Sequence, residues 1–205
     1  MNYPGKVKKE YNKYTNYANR GMDLEDLVNQ SNEYYLSMDI AVIYKKPTPI
    51  TISEVKYGAK ERIITKAFFR TPSTLDYNGI YKGKYIDFDA KVTENKTSFP
   101  LQNIHDHQLL HIKRVIEHGG ISFLIIYMNN NFYYLDGKAI LNFIDNNQRK
   151  SIPFEYIEKN GYLINQKIKP RLDYLSVVDN LYFKEDLVWR PLRIRRKLIL
   201  IKKRK

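Results

Sequence analysis

The segment Tyr85-Ile86-Asp87-Phe88-Asp89-Ala90-Lys91 changes character at every step. A β-strand sends successive side chains to opposite faces, so Ile86, Phe88 and Ala90 share one face while Asp87, Asp89 and Lys91 share the other. Core therefore lies on one side of this strand, and two carboxylates with an ammonium lie on the opposite one. A further acid, Asp76, stands thirteen residues before Asp89 in Thr74-Leu75-Asp76-Tyr77-Asn78-Gly79. Oxygen-rich acidic clusters suit a hard divalent cation, and a neighbouring lysine can meet developing phosphate charge.

Two readings of this pattern stand side by side. In one, the acids and the lysine form the centre of a metal-dependent phosphodiesterase. In the other, Asn78 to Tyr81 and Tyr85 to Val92 form a hairpin about Lys82-Gly83-Lys84 whose charges simply face solvent. The hairpin is expected under both, and only the role of its polar face differs.

Composition narrows the partner. A chain of 205 residues is one domain, with or without appendages, and is long enough to bury a proper core. Its net charge of +13 points to a polyanion, because such a field attracts phosphate backbones at long range. Coding bias in an AT-rich genome raises Lys, Asn, Ile and Tyr as well, so the charge supports this partner class without establishing it. No cysteine is present, which excludes disulfides and a Cys-based zinc site and fits a reducing cytosol. The start Met1-Asn2-Tyr3-Pro4-Gly5-Lys6 lacks the apolar core of a signal peptide, and no run approaches a membrane span. The expectation is a soluble, intracellular protein with no membrane partner.

Along the chain, residues 1–20 are polar, basic and rich in tyrosine, and read as a flexible arm. Asp23 is placed to cap a helix reaching about Leu36, with Leu24, Leu27, Val28, Tyr34 and Tyr35 as its buried stripe. Residues 39–44 read as a short apolar strand and, with 121–128, as a buried member of the sheet. Lys45-Lys46-Pro47-Thr48-Pro49 interrupts that strand, since each proline removes a ladder donor. From Ile50 to Phe69 a weak alternation about Lys56-Tyr57-Gly58-Ala59-Lys60 fits a protruding pair of strands or short helices with a basic tip. After the hairpin, Asn95 to Pro100 reads as a loop. A helix follows with Leu109, Ile112, Val115 and Ile116, ended by Gly119-Gly120. Asn129-Asn130-Asn131 turns the strand 121–128 into a second one, 132–135. Helical stretches near 138–145, 153–159 and 173–183 complete the body, and a basic tail runs on from Arg190. The expected class is α/β, a mixed central sheet flanked by helices.

Several blocks carry a more specific resemblance. They are Asp39-Ile40-Ala41-Val42-Ile43, Lys45-Lys46-Pro47-Thr48-Pro49, Phe69-Arg70-Thr71-Pro72-Ser73-Thr74, Asp76-Tyr77-Asn78-Gly79, Tyr85-Ile86-Asp87-Phe88, Thr97-Ser98-Phe99-Pro100 and Asn103-Ile104-His105-Asp106-His107-Gln108. Together they resemble the RecU family of Holliday junction resolvases, collinearly from about Arg20 to about Leu175. The resemblance implies a fold of the PD-(D/E)xK nuclease group, restriction-endonuclease-like, with a stalk insertion at 46–69 in a nuclease domain at 21–185; composition alone marks the basic tail at 186–205. It implies a homodimer that nicks two strands of a four-way DNA junction symmetrically in recombination and repair, with RecA and a branch-migration helicase as further partners. It also implies magnesium, with manganese as a substitute, held by Thr74, Asp76, Asp89 and Gln108. The catalytic set carried over is Asp76, Asp89 and Lys91, with Glu25 in support and Asp87 as a neighbour on the same face. DNA contacts are expected from Lys45, Lys46, Lys56, Lys60, Arg62, Lys66 and Arg70. One departure stands at the centre: the family usually carries Glu where this chain has Asp89. The tail after Tyr182 has no counterpart in the family pattern.

Plainer readings accompany each residue. Gln108 by itself is a polar residue at a helix start, and Thr74 a turn hydroxyl. His105, Asp106 and His107 invite a zinc reading, but His-x-His lacks the further ligands zinc needs, so structural or DNA-facing roles are favoured. The stalk cations, taken singly, are ordinary solvated surface. As a group beside Tyr57, Phe68 and Phe69 they suit backbone contact near unpaired bases. Besides a structure-selective endonuclease, two alternatives remain: a duplex-cutting nuclease of the same fold, and a non-catalytic protein binding junctions or RecA filaments.

Overall fold

The computed structural model describes residues 17–58, 61–70 and 74–183. A six-stranded sheet forms the body, in the order β1 (Val42–Lys45), β4 (Tyr77–Tyr81), β5 (Lys84–Val92), β7 (Ile121–Met128), β8 (Asn131–Asp136), β10 (Tyr162–Leu163). β5 and β7 run parallel and the other neighbours antiparallel, so the sheet is mixed as expected. The parallel pair requires a crossover. It is supplied by β6 (Ser98–Pro100), a short 3-10 turn and α2 (Asp106–Glu117).

One apolar core lies beneath α1 (Tyr17–Ser37) and α5 (Tyr174–Tyr182), built on Ile86, Phe88, Phe123 and Ile125. The opposite core gathers Leu124, Ile126 and Leu135 beneath α3 (Gly137–Asn146) and α4 (Phe154–Asn160). Across the first core runs an aromatic ladder: Tyr77 stacks on Phe88 at 4.9 Å, Phe88 on Phe123 at 4.7 Å, and Phe123 on Tyr134 at 4.3 Å. Tyr174 of α5 packs against the ladder at Phe88 and Phe123. A slip of one residue in β5 would turn Phe88 out of this stack and Asp87 and Asp89 into it. The ladder thus sets the register that presents the acids to the other face.

The hairpin turn is Lys82-Gly83, both residues with positive φ, as a two-residue turn matched to strand twist requires. Asn129 and Asn130 make the corresponding turn between β7 and β8. Gly119, also at positive φ, closes α2. No helix among the described residues is long and apolar enough to cross a membrane.

Four sequence readings need correction. β1 is an edge strand with only Ile43 buried, and Val42 and Tyr44 are about half exposed. Residues 98–100, read as loop, pair with β9 (Ser151–Pro153), a three-residue strand too short to give a pattern. β10 is likewise too short to read. α1 begins at Tyr17, so Asp23 lies inside it rather than at its cap, and residues 17–20 of the expected arm are helical. The rest of that arm and the basic tail lie outside the described residues.

Residues 50–69 resolve the choice left open between strands and helices. β2 (Ile50–Tyr57) and β3 (Arg62–Phe69) form a separate two-stranded sheet that is almost wholly exposed. Ile50, Ile52, Ile63, Ile64, Phe68 and Phe69 all present apolar surface there. A lone hairpin is marginal in water, and exposed apolar surface of this kind marks an interaction site.

Candidate active site

β5 lies inside the sheet with α2 across its polar face, and this overturns the expectation that the face is wet. Asp87 and Asp89 are both 0% exposed. Buried carboxylates must be paired, and these are. Asp89 Oδ2 accepts from Lys91 Nζ at 2.8 Å and from Gln108 Nε2 at 2.9 Å, while Oδ1 accepts the Ala90 N–H at 2.8 Å. Asp87 Oδ2 accepts from Lys46 Nζ at 2.7 Å and from the Tyr85 hydroxyl at 2.6 Å, and its Oδ1 lies 3.2 Å from His111 Nε2.

Gln108 is held at both ends. Its Oε1 accepts the His105 N–H at 3.1 Å, while the Gln108 N–H returns to the His105 carbonyl at 2.8 Å at the start of α2. The nitrogen of this amide therefore faces Asp89, and coordination of a cation through Oε1 requires the amide to turn over and release His105. His105 and His107 stack on each other at 5.4 Å.

Asp76 completes the cluster. Its carbonyl accepts the Lys46 N–H at 2.7 Å, which extends the β1–β4 ladder by one residue. Its carboxyl is pushed up to about 6, first by burial, then by the Asp89 charge and a hydrogen bond with Asp89; Glu25 adds to the rise and Lys91 opposes it. Two carboxylates sharing a site cannot both ionise cheaply, and the proton belongs to the pair. Glu25 projects from α1 and takes the Lys45 ammonium as its partner. Thr74 stands two residues before Asp76 in the same turn and is partly buried.

These residues fit a hard divalent cation. Burial and the Asp89 charge together raise the Asp76 carboxyl, and a cation between the two acids would relieve their repulsion; the donors are oxygens. Among the described residues no three or more His, Cys, Asp and Glu gather into a ready-made cage. Magnesium needs none, since it is commonly bound by one or two carboxylates and keeps several waters. The residues suited to hold it are Asp76 and Asp89, with Thr74 and Gln108 adjoining.

The expected DNA contacts divide into two groups. Lys45 and Lys46 are engaged with Glu25 and Asp87. Lys56, Arg62, Lys66 and Arg70 lie exposed on or beside the β2–β3 projection, where Arg62 packs over Tyr57 and Lys66 over Phe68, each at 5.6 Å. Lys60 lies outside the described residues. Sequence reasoning missed His111 and Tyr85 as partners of Asp87. The only hint was spacing: Gln108 and His111 are three apart on α2, and Tyr85 and Asp87 two apart on β5.

The RecU family profile, described as Recombination protein U, matches residues 19–180. The Holliday junction resolvase RecU of Bacillus cytotoxicus is 51% identical over 173 residues, covering 82% of this chain and 86% of its own. The protein of the same name from Geobacillus kaustophilus matches to the same extent. Among solved structures, Hjc of Archaeoglobus fulgidus, a Holliday junction resolvase, aligns at 10% identity with a TM-score of 0.41, over 71% of this chain and 92% of that one.

Proposed function

The chain belongs to the RecU family, and from that premise we propose that it cuts four-way DNA junctions by paired symmetric nicks, as a magnesium-dependent endonuclease. Being a Holliday junction resolvase, an endonuclease, follows from the family; the metal, the pairing of nicks and the residue roles are the proposal. The observation that supports it most is the fully buried Asp89, bracketed by Lys91 and Gln108 beside Asp76, whose carboxyl is pushed up by burial and the Asp89 charge.

Magnesium, when bound, would acidify a water and neutralise the phosphoryl oxygens. Manganese, equally hard, is the expected substitute. Asp76 and Asp89 would hold the cation. Thr74 would lie beside it, and Gln108 would fix Asp89 or a bound water. Lys91, on the same strand face as Asp89, would donate to the charge that develops on the phosphate. Glu25 would keep the site acidic while anchoring Lys45. The β2–β3 projection would be the family's stalk within a nuclease domain of residues 21–185, giving backbone contacts through Lys56, Arg62, Lys66 and Arg70. A homodimer would set two sites on symmetric phosphates, so that branched shape rather than sequence is selected. A role in recombination would put the protein in the cytoplasm, on the nucleoid, alongside RecA and a branch-migration helicase.

The test is cleavage of an immobile four-way junction against a linear duplex of matching sequence, with magnesium or EDTA, for the native protein and Asp89→Asn. Paired, magnesium-dependent nicks in the junction alone, lost in Asp89→Asn, are expected. Binding without nicks would make the protein a junction-binding factor, and equal cutting of the duplex would make it a general nuclease.

A further inference from the structure

Lys46 is the residue where three parts of the molecule meet. It follows β1 directly and precedes Pro47, so it is the root of the β2–β3 projection. Its backbone N–H holds the carbonyl of Asp76 at 2.7 Å. Its ammonium crosses to β5 and pairs with the buried Asp87 at 2.7 Å, with its side chain only 23% exposed. Asp87 is in turn fastened by Tyr85 at 2.6 Å and approached by His111 of α2 at 3.2 Å, and stands two residues before Asp89 on the same face.

The connection to the projection is short and stiff. Pro47 and Pro49 fix two of the three φ angles between Lys46 and β2. The Arg70 N–H bonds the Pro49 carbonyl at 2.9 Å and closes the base of the hairpin. The other limb, beyond Arg70, returns within a few residues to Thr74 and Asp76. A load on β2–β3 therefore reaches Asp76 through Lys46, whose backbone holds the Asp76 carbonyl.

We propose that Lys46 is a positioning residue: paired with Asp87, it couples the seating of the β2–β3 projection on DNA to the placement of Asp76. This inference rests on the junction-cutting reading above and assigns Lys46 a role other than the phosphate contact its charge suggested. A buried ion pair suits the task, because it has one geometry and cannot be traded for water. The Asp76 carboxyl meets Asp89 by a hydrogen bond and is drawn by Lys91, while the charges of Asp89 and Glu25 oppose it, and Lys46 holds the backbone of the same residue.

Single-turnover cleavage of a prebound junction, with junction affinity measured separately in EDTA over a range of salt, tests the coupling. The variants are Lys46→Met, which keeps the aliphatic stem, Lys46→Arg, Asp87→Asn, which is isosteric, and the pair Lys46→Met with Asp87→Asn. Lys46→Met and Asp87→Asn should each slow cleavage by about 100-fold, the scale on which small misplacements of reacting groups act. The double variant should be no slower than either, since both break one link. Junction affinity and its salt slope should stay at the native values, and Lys46→Arg should restore most of the rate. If Lys46→Met instead weakens binding and lowers the salt slope by about one, while the bound junction is cut at the native rate, Lys46 is a phosphate contact and the coupling is wrong. Native rates in both single variants overturn it equally. Failure of the native protein to cut the junction at all would count against the junction-cutting reading, separately from these comparisons.

Discussion

Binding of a divalent cation should expel the proton that Asp76 shares with Asp89. The Asp76 carboxyl is raised from 3.8 to about 6, chiefly by burial and then by Asp89. At a pH of about 6 the site then carries about half a proton, at about pH 7 a tenth, and at about pH 8 a hundredth. Metal ligands must be deprotonated, so that fraction is released on binding. Isothermal titration with magnesium in two buffers of different ionisation heat reads the number directly. Release of about half a proton near pH 6, vanishing near pH 8 and absent from Asp76→Asn, is expected. The same linkage acts on stability without metal. The folded carboxyl holds its proton more tightly than the unfolded one, so the stabilisation is complete below the unfolded value and is lost as pH rises through about 6. Two units at about 1.4 kcal/mol each give about 3 kcal/mol, which the partial exposure of Asp76 reduces to about 1–1.5 kcal/mol. Saturating magnesium should abolish that loss. No proton release near pH 6, or equal release from Asp76→Asn, would refute the shared carboxylate site.

Three other perturbations reach different parts of the molecule. Gly79→Ala would place a methyl 2.6 Å from Ile43 Cα and inside the Val42 carbonyl, prising β1 from β4. Losing the burial of Ile43 and its ladder bonds costs about 3–5 kcal/mol, so the thermal midpoint should fall by on the order of 10 °C. Lys91→Met should lower single-turnover cleavage by about 100- to 1000-fold with junction affinity unchanged, because the ammonium faces Asp89 rather than the projection. Replacing Lys56 and Arg62 together by Ala should weaken junction binding and reduce the salt slope by about two, as read by titration across salt concentrations.

The legible part of the fold was local. Alternation in 85–91, the positive-φ pair Lys82-Gly83, the apolar run 121–128 and the glycines ending α2 each signal themselves within a few residues, since period and backbone freedom are local properties. β6 and β9 hid because three residues show no period and their partners are some fifty residues apart. β1 misled because its apolar composition suggested burial, whereas its place at the edge depends on which strands pair beyond it. At the site, the acids and Lys91 announced themselves on one strand face; Lys46 announced only a charge.

The sequence by itself determined that Asp87, Asp89 and Lys91 share a face, for a strand permits nothing else once Ile86 and Phe88 are buried. It carried the family blocks too. Tertiary structure alone decided that this face is covered rather than wet: α2, returned by the crossover, lays Gln108 and His111 over it. It also decided that Lys46, more than thirty residues from Asp89 in sequence, turns its ammonium inward to Asp87 instead of outward to solvent. Both outcomes come from contacts between distant segments, where burial makes an unpaired carboxylate costly and so dictates its partner.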